Sequence, residues 1–153
     1  MPILKIRWNT GNMSVDLNQI LLMEAPKVKR LFKLMRTSDC RIDKFYGADV
    51  DKELLRYLNE QAHTDLTAAE QCKEIVRENL GFYATLKPGL TTSELKQACA
   101  FVRKAVSKQG SKSNAMQRVR ETENYLKTAC KMERNAEKYD RIIKTYKDVM
   151  HIE

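Results

Sequence analysis

AMQRVRETENYLKTACKMERNAEKYDRIIKTYKDVM, residues 115–150, contains no glycine or proline. A breaker-free stretch of that length predicts one long helix over residues 115 to about 150, about 50 Å at 1.5 Å per residue. Tyr125, Ala129, Met132, Ala136, Tyr139, Ile143, Tyr146 and Met150 recur along it at alternating steps of four and three. That spacing defines a heptad seam. A seam of Tyr, Ala and Met lacks the Leu/Ile content of a tight dimer, so it is expected to pack on other helices of the same chain. The alternative is an adaptable surface for a protein partner. Away from the seam, Arg120, Lys127, Lys131, Arg134, Lys138 and Arg141 form a basic stripe at intervals of 7, 4, 3, 4 and 3. The stripe is about 32 Å long, close to one turn of duplex DNA. Such a ladder can follow a phosphate backbone. The competing expectation is a solvated face laced by the i,i+4 pairs Glu123–Lys127, Glu137–Arg141 and Asp140–Lys144.

Upstream of the long helix, Gly110 to Asn114 is small and polar and reads as a turn. Thr91-Thr92-Ser93-Glu94 is a capping box, opening a helix with Leu95, Ala98, Cys99, Val102 and Val106 inward and Gly110 as its stop. Gly81 to Gly89, with Phe82, Tyr83 and Pro88, reads as a connector. Asp49 caps a helix expected to run to about Ala62, with Val50, Leu54, Leu55 and Leu58 inward. Thr67-Ala68-Ala69-Glu70 is another capping box. It predicts a separate helix with Cys72, Ile75, Val76 and Leu80 on one stripe and Gly81 at its end.

The beginning of the chain has a different period. Leu4, Ile6 and Trp8 alternate with Lys5 and Arg7, and Met13, Val15 and Leu17 alternate with Ser14, Asp16 and Asn18. Asn9-Thr10-Gly11-Asn12 supplies turn residues between them, so the pair reads as a β-hairpin. A helix follows from about Glu24 to Arg36, with Pro26 in its first turn, Val28, Leu31, Phe32 and Met35 on one face and Lys29, Arg30, Lys33 and Arg36 on the other. Cys40, Ile42 and Tyr46 share a parity and suggest a third strand between Cys40 and Tyr46. The expected fold class is therefore α+β, predominantly α: a small N-terminal β-hairpin plus basic helix, then a helical bundle ending in one long helix. Residues 1–153 are expected to form a single domain, with 1–48 as an N-terminal β/α subdomain and 49–153 as the bundle.

With 42% hydrophobic and 31% charged residues the chain has the composition of a globular protein. The net charge of +8 is unevenly spread: residues 1–48 carry +5, residues 49–86 carry −4 and residues 87–153 carry +7. A basic beginning and end around an acidic middle point toward polyanionic partners. Cys40, Cys72, Cys99 and Cys130 are widely spaced and include no C-x-x-C pair. They are expected to be reduced thiols of a cytoplasmic protein, with no zinc or other metal site. No signal peptide is expected at Met1 to Trp8, and no apolar run approaches the ~20 residues that span a bilayer, so no membrane partner is expected.

No Gly-rich phosphate loop, H-E-x-x-H, G-x-S-x-G or EF-hand pattern is present, which predicts a non-enzyme without a cofactor. Arg56 and His63 stand seven positions apart on a predicted helix, on nearly one face. This pair resembles the R-x(4–6)-H motif of HEPN-type ribonucleases, with Tyr57 in place of the polar residue that often follows the arginine. The resemblance implies a helical ribonuclease in which Arg56 and His63 act together on a scissile phosphate, usually across a dimer. In type, though not in motif, a small basic chain without catalytic residues also resembles phage and mobile-element products that block nucleic-acid-guided defence nucleases (anti-CRISPR proteins).

The leading expectation is a non-enzymatic binding protein that contacts nucleic acid or a nucleoprotein. Its contact residues would be Lys29, Arg30, Lys33 and Arg36 together with Arg120, Lys127, Lys131, Arg134, Lys138 and Arg141. The second is a protein-interaction module using the Tyr/Met seam or the Trp8 region, and the third is the Arg56/His63 ribonuclease.

Overall fold

The computed structural model describes residues 2–42 and 49–153. The fold is α+β and mainly α, with a three-stranded antiparallel sheet at its N-terminal end. Strands β1 (Ile3–Trp8) and β2 (Gly11–Asp16) form the hairpin, and β3 (Asp39–Ile42) pairs with the other edge of β1. The part of the expected third strand beyond Ile42 lies outside the described residues. Strand β2 stops at Asp16 instead of running through Leu17. The Asp16 carboxylate accepts from the Asn18 N–H at 2.9 Å, a side-chain turn that competes with the strand ladder. It starts a 3₁₀ segment, Leu17–Leu22, which buries Leu17 and Ile20.

Helix α1 (Ala25–Arg36) buries Val28, Leu31, Phe32 and Met35, as its periodicity predicts. Helix α2 (Val50–Gly81) begins where Asp49 accepts from the Asp51 N–H at 3.0 Å. It then runs unbroken for 32 residues, so the expected stop near Ala62 and restart at Thr67 do not occur. No glycine or proline lies between Asp49 and Leu80. An interior threonine costs helix stability only a few tenths of a kcal/mol, whereas ending a helix exposes several backbone groups. Leu54, Leu58, Ala62, Ala69, Val76 and Leu80 then make one buried stripe along it.

Helix α3 (Thr92–Val106) starts on the predicted capping box: Thr91 accepts from the Glu94 N–H at 3.2 Å, and Glu94 accepts from the Thr91 N–H at 3.1 Å. These bonds hold the Glu94 carboxyl below its usual range. A 3₁₀ turn, Ser107–Gln109, follows, and Gly110 ends it at φ 98°, a conformation that favours glycine. Helix α4 (Asn114–Met150) spans 37 residues.

The chain forms two compact units. The first comprises Met1–His63 and Asn135–Glu153. Its core combines Leu4, Ile6 and Ile42 of the sheet with Phe32 of α1, Leu58 of α2 and Tyr146 of α4. The N-terminal β/α segment thus shares a core with the start of α2 and the end of α4. The second unit, Thr64–Arg134, packs Val76 and Leu80, Leu95, Cys99 and Val102, and Met116, Val119 and Leu126 together.

Candidate functional site

Amphipathicity positions the first cationic group. On α1 the apolar face is buried, and Lys29, Arg30, Lys33 and Arg36 are all exposed. Lys33 and Arg36 occupy the last turn, where the helix dipole favours positive charge. Arg30 Nε donates to the Pro26 carbonyl at 3.4 Å, along its own helix. Lys27 is exposed in the first turn of the same helix and adds a cation beyond the four predicted. Its position two residues before Lys29 in a helical pattern was the available signal.

The second group divides between the units. Arg120, Lys127, Lys131 and Arg134 belong to the second unit and are exposed. Lys138 and Arg141 belong to the first, where Arg141 is exposed and Lys138 half-buried. Among the described residues, none of the three predicted i,i+4 pairs along α4 forms within 4 Å; Glu123 instead takes Arg103 of α3, Nη1 to Oε1 at 2.5 Å. None of the ten predicted cationic residues makes an ion pair with any described residue.

Part of the acidic middle of the chain pairs with cations of its own helix. Glu53 and Glu60 hold Arg56 at 2.5 and 3.6 Å. Glu70 holds Lys73 at 2.8 Å, and Glu74 holds Arg77 at 2.6 Å. The Lys73 hydrogen bond lowers the Glu70 carboxyl below its ordinary value. Arg77 also donates from Nη2 to the Leu90 carbonyl at 3.2 Å, within the second unit.

Arg56 and His63 are both exposed on α2. Arg56 already lies against two carboxylates of its own helix, so a phosphate approaching it meets negative charge as well as positive. All four cysteines are free thiols. Burial pushes the Cys40 and Cys99 thiols up, away from the reactive thiolate.

The seam of α4 is largely internal. Ala129, Ala136, Tyr139, Ile143 and Tyr146 are buried, Met132 and Met150 are half-buried, and Tyr125 is exposed. Where Tyr125 was expected inward, Thr122 and Leu126 are buried instead. A helix of 3.6 residues per turn drifts about 20° per heptad against a 3.5 repeat, so a strict heptad leaves the packed face within a few turns. Two hydrogen bonds offset the polar cost of burying Thr122: its Oγ1 donates to the Arg118 carbonyl at 2.7 Å and accepts from Asn79 Nδ2 at 3.1 Å. Among the described residues no helix is long and apolar enough to cross a membrane.

The chain matches no protein-family model, and no curated protein and no solved structure is significantly similar to it.

Proposed function

We propose that this protein is a non-enzymatic binder of nucleic acid, free or within a nucleoprotein, and that it engages the phosphate backbone through organised surface cations. The observation that carries this reading is that all ten predicted cationic residues lack an ion pair among the described residues, and nine of them are exposed. The carboxylates that do form ion pairs, Glu53, Glu70, Glu74 and Glu123 among them, hold Arg56, Lys73, Arg77 and Arg103 and none of these ten. Such cations are open to phosphates, and neutralising a phosphate releases the counterions condensed on the nucleic acid.

Fluorescence anisotropy with a labelled 20-base-pair duplex and a labelled 20-nucleotide strand, from 50 to 500 mM salt, tests it. Affinity is expected to fall steeply, log K declining linearly with log salt. Replacing Lys29, Arg30, Lys33 and Arg36 by alanine lowers the duplex slope by about 0.9 for each phosphate that is no longer neutralised. Absence of binding to both probes at 50 mM salt, or an affinity indifferent to salt, overturns the proposal.

A further inference from the structure

Helices α3 and α4 run antiparallel within the second unit: Thr92 donates to Glu133 near one end, and Arg103 pairs with Glu123 nearer the other. Between them lies a groove of about 220 Å³. Cys99 and Leu126, both buried, stand at its base, and Ala100, which is exposed, at its lip. Lys96 of α3 and Lys127 of α4 line it from the two helices. Both are exposed, and neither makes an ion pair among the described residues. Arg120, Lys127, Lys131 and Arg134 follow one another at steps of seven, four and three, so all four share one flank of α4. From Arg120 to Arg134 this cationic rim extends about 21 Å at 1.5 Å per residue. The carboxylates beside the groove are already engaged: Glu123 holds Arg103, and Glu133 accepts from Thr92 and lies 4.0 Å from Lys73 of α2.

An apolar base between cationic rims selects its occupant on two counts. The volume suits one large apolar side chain, since a cavity of about 150 Å³ accepts a benzene ring. A phosphodiester chain carries no such knob, and Cys99, Ala100 and Leu126 offer a nucleic-acid base no aromatic ring to stack on. An amphipathic helix supplies both parts, an apolar anchor on one face and charges along its flanks. Against cationic rims the complementary charge is negative. A helix of about 14 residues matches the length of the α4 rim.

We infer that the groove between α3 and α4 docks an acidic amphipathic helix of a protein partner, with one apolar side chain seated over Leu126 and carboxylates against Lys96, Lys127 and the rim of α4. This goes beyond the nucleic-acid reading above, and the basic face of α1, in the first unit, takes no part in it.

The probe is a labelled helical peptide of about 16 residues, with leucines at steps of three and four and glutamates on both flanks, titrated with the full-length protein and followed by anisotropy. It is expected to bind, and a version with alanine for every leucine is expected to bind at least tenfold more weakly. Ala100→Glu places a carboxylate at the lip of the groove, four residues from both Lys96 and Lys104, where it draws on the cations that the peptide needs. Because Ala100 is exposed on a helix, this variant should keep its circular dichroism and melting temperature while losing at least tenfold in peptide affinity. Lys96→Glu/Lys127→Glu tests the rims in the same way if Ala100→Glu does not fold. Replacing Lys29, Arg30, Lys33 and Arg36 by alanine should leave peptide affinity unchanged. Equal binding of the leucine and alanine peptides would mean that charge alone attracts them, and overturns the inference. So does a peptide affinity that the groove variants leave intact. Loss of duplex binding in Ala100→Glu, with no binding of the peptide to the parent protein, would assign the groove to nucleic acid and overturns it as well.

Discussion

Among the described residues, Tyr146 is the largest side chain that is completely buried. Its ring meets Phe32 edge-on at 4.9 Å between centroids, and its hydroxyl donates to Asp51. Burial, then that hydrogen bond, raises the phenol above its ordinary value. Tyr57, whose hydroxyl donates to Asn18, is pushed up to about 12, chiefly by burial. In the unfolded chain both lose their protons near pH 10. Between about pH 10 and 12 the unfolded state therefore binds fewer protons than the folded one, and stability falls as pH rises. Below pH 10 the contribution is constant. Urea midpoints are expected to be level from pH 7 to about 8, to begin to fall as the buried Cys40 and Cys99 thiols stay protonated only in the folded state, and to drop more steeply from about pH 10 upward. The double variant Tyr57→Phe/Tyr146→Phe should start from lower stability and decline less over that window; an equal decline in both proteins would show that these phenols do not set it.

Two threonines of the same local pattern have different fates at the scale of the element. Thr91-x-x-Glu94 and Thr67-x-x-Glu70 both read as capping boxes, and only Thr91 caps a helix. Pro88 and Gly89 interrupt the chain just before Thr91, with Gly89 at φ 76°, so a helix start is needed there. Nothing interrupts the chain before Thr67, and α2 passes through it. Thr91→Ala is expected to cost about 1 kcal/mol. Thr67→Ala should stay within about 0.5 kcal/mol of the parent, since alanine is the better residue in a helix interior. Thermal or urea unfolding of the two variants checks the contrast, and comparable losses at both positions would contradict an unbroken α2.

At the scale of the whole molecule, two separate cores predict independent energetics. Ile20 belongs to the first and Leu95 to the second, and both are fully buried. Ile20→Val should cost about 1 kcal/mol and Leu95→Ala about 3 kcal/mol. The double variant should equal their sum within about 0.5 kcal/mol, as unfolding midpoints of the three variants would show. A coupling above about 1 kcal/mol would mean that the two clusters respond as one.

Periodicity by itself determined the hairpin, the two faces of α1, the start of α3 and the reach of α4, because these depend on local geometry and on breakers that are visible residue by residue. The outward display of Lys29, Arg30, Lys33 and Arg36 followed from the same amphipathic pattern. Tertiary structure decided what local patterns left open. It carried α2 through Thr67, and it turned Thr122 and Leu126 inward where the heptad pointed to Tyr125. It also gave Glu123 to Arg103 of another helix in place of Lys127 of its own. The cross-strand neighbours of Lys5 and Arg7 depended on the same level, since strand register is set by which strands pair and not by either strand alone. The common reason is that burial and charge pairing are properties of elements in contact, whereas helix and strand periods are properties of the chain itself.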